Sequence, residues 1–102
     1  MTVQPHANAQ TIGKRFAEIV RERALPVTDI RVQDTGEGPR LWVVIEPMEL
    51  KDELPVHRAF VELQRCFPDS MFDDRVINPA WLGSNLPDQE IPPDAVRISL
   101  RS

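Results

Sequence analysis

The sequence predicts an α+β fold. We expect a two-layer sandwich in the order α-β-β-α-β-β, with two helices packed on one face of a mostly antiparallel four-stranded sheet. Three observations lead there. Two segments space their apolar residues at helical intervals. Four others alternate or run apolar at strand intervals. Glycine and proline clusters separate the six. At 102 residues the chain has room for one core. Residues 9–102 are read as a single domain, and the polar stretch 1–8 with Pro5 as a flexible tail.

Residues 9–25, "AQTIGKRFAEIVRERAL", place Ile12, Phe16, Ile19 and Val20 on one stripe of an amphipathic helix. Asn8 or Thr11 can cap its start, and Arg21 and Arg23 suit its negative C-terminal end. Gly13 weakens the first turn, and Pro26 ends the helix because the residue before a proline avoids the helical region.

"VTDIRVQD" then alternates, with Ile30 and Val32 opposite Asp29, Arg31 and Gln33, as in a half-buried strand. "TGEGP" is a turn in which Gly36 and Gly38 supply positive φ. "RLWVVIE" follows as the second strand of a hairpin, with Leu41, Val43 and Ile45 on one face and Trp42 and Val44 on the other. Residues 51–67 form the second helix, with Val56, Ala59, Phe60, Leu63 and Phe67 on its apolar stripe, Asp52 at its cap and Pro55 in the first turn. "MFDDRVIN", residues 71–78, is the third strand. Residues 79–94 hold four prolines and little periodicity, which predicts a long loop with one helical turn near Pro79, Ala80 and Trp81. "AVRISLR" alternates again and gives the fourth strand.

The densest cluster of candidate chemistry is Asp73, Asp74 and Arg75. A carboxylate pair that shares a metal or a bond to be broken needs both groups on one side of a pocket. Neighbouring side chains of a strand point to opposite faces, so Asp73 and Asp74 do not converge on a regular strand. Cys66 and His57, nine residues apart on one helix, stand roughly 13 Å apart on opposite faces and form no nucleophilic pair. Cys66 is read as a small buried hydrophobe and His57 as a solvated first-turn residue. No C-x-x-C, H-E-x-x-H or calcium-loop spacing occurs, so neither a metal nor another cofactor is expected. "TGEGP" lacks the Lys-Ser/Thr and the following helix of a phosphate loop.

Charge and composition narrow the function classes. The net charge is −4 with dispersed cations, which argues against a nucleic-acid partner. No run of 18 apolar residues exists to span a membrane, and the N-terminal residues lack the basic start and apolar core of a secretory signal. With the single Cys66, these features predict a cytoplasmic protein.

What remains is surface. If the helices cover the Ile30, Val32, Leu41 face, the other face presents Trp42 and Val44 with Arg31 beside them. Tryptophan and arginine are enriched at interface hot spots. The alternative is that residues 79–94, through Trp81 and Leu82, fold back over that patch. The leading expectation is a non-enzymatic binding or assembly module, a homodimer or a docking domain. It would act through an open sheet face at Trp42, Val44 and Arg31, together with Trp81 and Leu82. The second is a small-molecule sensor or enzyme whose pocket lies between 79–94 and the sheet, lined by Asp73, Asp74, Arg75 and Trp81.

Overall fold

The computed structural model describes residues 8–83 and 85–101, so the tail expected at 1–8 lies, apart from Asn8, outside the described residues. The fold is α+β, with two helices and a four-stranded mixed sheet. Helix α1 spans Ala9–Arg23, strands β1 and β2 span Val27–Thr35 and Gly38–Ile45, helix α2 spans Leu54–Cys66, β3 spans Asp73–Ile77 and β4 spans Val96–Arg97.

Local chemistry sets the ends of α1. The Asn8 side chain accepts from Thr11 N–H at 2.8 Å, satisfying one of the free donors of the first turn. At the other end Ala24 adopts the left-handed conformation with φ of 51°, and Leu25 N–H reaches back to the Val20 carbonyl at 3.0 Å. Helix α2 starts differently from the sequence expectation. A 3-10 turn, Leu50–Glu53, leads into it, and Asp52 does not cap it; Pro55 does fall in the first turn. In the hairpin turn only Gly38 takes positive φ, at 119°. The Thr35 hydroxyl donates to the Gly38 carbonyl at 2.7 Å and closes that turn.

The strand order is β3-β2-β1-β4. β1 pairs antiparallel with β2 and with β4, while β2 and β3 run parallel. The parallel pair follows from connectivity, because α2 lies between β2 and β3 and serves as the crossover that parallel strands require. β3 is shorter than the expected 71–78: Met71 is 88% exposed, and Asn78 leaves the ladder to use its side chain elsewhere. β4 is shorter still. Pairing with β1 begins at Val96, and one further bond from Ile98 N–H to the Ile30 carbonyl ends it.

Two apolar clusters form. The larger unites Ile12, Phe16, Ile19 and Val20 of α1 and Val56, Ala59, Phe60 and Leu63 of α2 with Ile30, Val32, Leu41, Val43 and Ile45 of the strands. Phe16 and Phe60 stack there with ring centroids 4.8 Å apart. The smaller cluster gathers Trp42, Val44, Ile77 and Ile91, with Leu82 and Ala95 packed against it. The alternation of β2 is therefore buried on both sides. Cys66, expected inside, is exposed instead, one residue before α2 gives way to Phe67.

Gly13 serves close packing. A Cβ there would sit 2.7 Å from Val32 Cγ1 and 2.8 Å from Ile98 Cγ1. Alanine favours a helix interior by about 1 kcal/mol over glycine, but overpacking a tight contact costs about 1–3 kcal/mol. Val32 is β-branched in a strand and has little rotamer freedom to yield. Gly13→Ala is therefore expected to lower the midpoint of urea unfolding, with a net loss of about 1 kcal/mol; a raised midpoint would show that the helix–sheet contact is loose.

Candidate functional site

The last residue before Pro79 organises the neighbourhood. Asn78 is buried, and its amide is fully used. Its Nδ2 donates to the Met48 carbonyl at 2.7 Å and to Glu53 Oε2 at 2.8 Å. Its Oδ1 accepts from Met48 N–H at 3.3 Å and from Ala80 N–H at 3.0 Å. Four bonds from one side chain tie the exit of β2, the entry to α2 and the 3-10 turn Pro79–Trp81 together. Glu53 is itself buried and also accepts from His57 Nε2 at 3.1 Å. Burial alone would raise its carboxyl pKa. Hydrogen bonds from Asn78, His57 and Trp81 outweigh that and hold it below its ordinary value.

Beside this knot lies an open cleft of about 680 Å³. Trp42 and Ile77 are buried parts of its lining, and Leu50, Glu53, Trp81 and Glu90 also border it. The exposed rim carries two large apolar side chains: Leu50 is 67% and Trp81 65% accessible.

The expected open sheet face does not exist. Trp42 is 3% exposed and Val44 6%, because the segment after β3 returns over them and packs Leu82, Ile91 and Ala95 onto their surface. Arg31 takes part in that closure. Its Nε donates to Asp29 Oδ2 at 3.0 Å and its Nη2 to Asp88 Oδ1 at 2.8 Å, which fastens the covering segment to β1. Of the five residues expected to form an interface, Trp42, Val44 and Arg31 hold the cover in place. Leu82 is half-buried beneath it, and Trp81 stands at its exposed rim.

The ligand candidates separate as well. Arg40 pairs with Asp73, Leu41 with Asp74 and Trp42 with Arg75 in the β2–β3 register. Asp73 and Arg75 thus share the Trp42 face, and Asp74 lies on the Leu41 face, towards the helices. Asp73 is neutralised by Arg40 at 3.3 Å and Arg75 at 3.4 Å. Asp74 makes no ion pair among the described residues. Partial burial and the charge of Asp73 push its carboxyl up, opposed by His57. Of the four, Arg75 and Trp81 line the cleft; Asp73 borders a smaller hollow beside the hairpin turn.

Asn78, Leu50 and Glu90 were not singled out by sequence reasoning, and Glu53 reads from sequence only as a carboxylate suited to the positive start of the second helix. One signal was present: an asparagine before a proline at a strand end starts turns through its side chain. No group of three or more His, Cys, Asp or Glu among the described residues is placed to hold a metal ion. No helix among the described residues is long and apolar enough to cross a membrane. No protein-family model matches the chain, and comparison with curated proteins and with solved structures finds no significant similarity.

Two expectations follow from the Asn78 knot. Asn78→Ala leaves the Glu53 carboxylate and the Met48 and Ala80 backbone groups short of partners, with a loss of about 3 kcal/mol or more, measured by urea unfolding. The second concerns acid. Glu53 has a folded pKa below the ordinary 4.5, so its stabilisation is present above that value and is lost as pH falls through the lower folded value. Glu53→Gln should therefore flatten the acid limb of the stability–pH curve; an unchanged limb would remove Glu53 from the account.

Proposed function

We propose that this chain is a small, non-enzymatic binding module of the cytoplasm that docks another protein in the cleft between Leu50 and Trp81. Two further features belong to that reading. The helices form one layer on the sheet, and the segment 79–95 roofs the opposite face. The partner therefore meets the rim of the roof and not the sheet beneath it.

One observation carries the proposal: two large apolar side chains, both about two-thirds exposed, face a cleft whose floor is already desolvated. A monomeric surface rarely leaves tryptophan and leucine together beside a cavity without use. Trp81 also suits the centre of an interface, since a tryptophan there buries a large area with few rotatable bonds. Arg75 and Glu90 at the margin offer charged partners to orient a polypeptide. A homodimer through the same rim is the same chemistry with a second copy in place of another protein.

The cleft volume favours one other reading. Small-molecule sites run about 300–1,000 Å³, and a ring could stack on Trp81 with an anionic group on Arg75. This is the earlier ligand reading, reduced to the two of its four residues that line the cleft.

The test is selection of binders from a displayed library of short random peptides. Clones that bind through the cleft should lose about tenfold or more in affinity to Leu50→Lys and to Trp81→Ala, while Val61→Lys, on the exposed side of α2, leaves them unchanged. Leu50 is solvated, so Leu50→Lys should shift the melting temperature little. Failure to obtain any cleft-dependent clone, with a metabolite raising the melting temperature of wild type but not of Arg75→Ala, would replace the docking reading by the small-molecule one.

A further inference from the structure

We propose that the outer edge of β3, with the cleft beside it, is a strand-addition site. An extended segment of a partner protein pairs with β3 as a fifth strand, placing an apolar side chain in the cleft and a basic one beside Asp74. This rests on the docking reading above and specifies how the partner binds.

The first ground is hydrogen bonding. β3 ends the sheet and pairs only with β2, and no other backbone bond among the described residues reaches 73–77. In a parallel ladder alternate residues turn their N–H and C=O towards the neighbouring strand, and the residues between turn theirs outward. The outward groups of β3 are a template for another strand.

The second ground is the course of the cleft. Arg75, Val76 and Ile77 all line it. Consecutive strand residues point to opposite faces of a sheet, so three in a row can border one cavity only if it runs along the strand's edge. Residues from two other parts of the chain complete the lining. Trp81 and Glu90 come from the covering segment, and Leu50 and Glu53 from the chain that enters α2. An added strand would place side chains against this lining.

Charge decides what kind of segment fits. Natural edges are guarded by charged residues that deter indiscriminate pairing, and Asp73, Asp74 and Arg75 are such a guard. The guard is incomplete: Val76 and Ile77, at the deeper end, carry no charge. Asp73 already has Arg40 and Arg75, whereas among the described residues neither Asp74 nor Glu90, at the rim, makes an ion pair. A basic residue opposite the first half of β3 and an apolar one opposite the second complement this edge.

The experiment uses the strongest cleft-dependent clone as a synthetic peptide in three forms: unmodified, and N-methylated at one or the other alternate set of backbone amides. N-methylation removes a donor and blocks pairing on that side. Strand addition predicts a loss of about tenfold or more for one set and little for the other, since only one side of the peptide faces β3. It also predicts that alternate amides within 73–77 become protected from hydrogen exchange on binding, and that Asp74→Asn weakens the unmodified peptide. Equal effects of the two methylated sets, with no new protection in β3, overturn strand addition while leaving the docking reading intact. The absence of any clone sensitive to Leu50→Lys overturns both. Protection of 73–77 without peptide, together with a dimeric mass in solution, assigns the edge to a second copy and overturns the partner-segment inference.

Discussion

The architecture around the cleft depends on one buried hydrogen-bonding node, the Asn78 amide with the Glu53 carboxylate. A buried carboxylate is tolerated only when its desolvation is offset by donors, and Glu53 accepts from Asn78 and His57. The arrangement is reciprocal. Asn78 needs partners for both its hydrogens and both its lone pairs, and it finds them in Met48, Glu53 and Ala80. Two chain segments distant in sequence, 48–53 and 78–80, are thereby held to one geometry. Leu50 lies between Met48 and Glu53, and Trp81 follows Ala80, so this node places both at the cleft.

The covering segment is fixed by a second, different device. Its apolar contacts, Leu82, Ile91 and Ala95, pack on Trp42 and Val44, and the Arg31–Asp88 ion pair at 2.8 Å pins it to β1. Arg31 is largely shielded, although Asp88 is mostly exposed, so the pair contributes positioning more than stability. The prolines within the segment restrict the chain before folding and lower the entropy lost on ordering it. A stretch with little regular structure thus packs over Trp42 and Val44 and leaves Trp81 exposed.

The sequence carried the element order because each element has a strong local signal. The stripe at Ile12, Phe16, Ile19 and Val20 and the alternation at Ile30 and Val32 both depend on period alone, and both are buried in the larger cluster. The adjacency of Asp73 and Asp74 was enough to place them on opposite faces of a strand, and the β2–β3 register does so. What escaped sequence reasoning is non-local. Whether Trp42 meets water depends on where residues 79–95 travel, and no periodicity encodes a return path. The shortness of β4 shows only in its pairing with β1, which stops after Ile98. Glu53 looked like an ordinary helix-start carboxylate, because its burial comes from Asn78, twenty-five residues away. Gly13 looked like a defect of the helix until its distance to Val32 was known.

The covering of Trp42 by the segment after β3 is tested directly by tryptophan fluorescence, since the chain has only two tryptophans. Trp81→Phe keeps a ring at the rim and leaves Trp42 as the sole emitter. A fixed roof predicts blue-shifted emission in that variant, with little quenching by acrylamide, while wild type shows an additional, readily quenched component from Trp81. If Trp42 alone emits like a solvated indole and is quenched as freely, the covering segment does not lie where the structure places it. The cleft then loses its floor, and the sheet face becomes the docking surface.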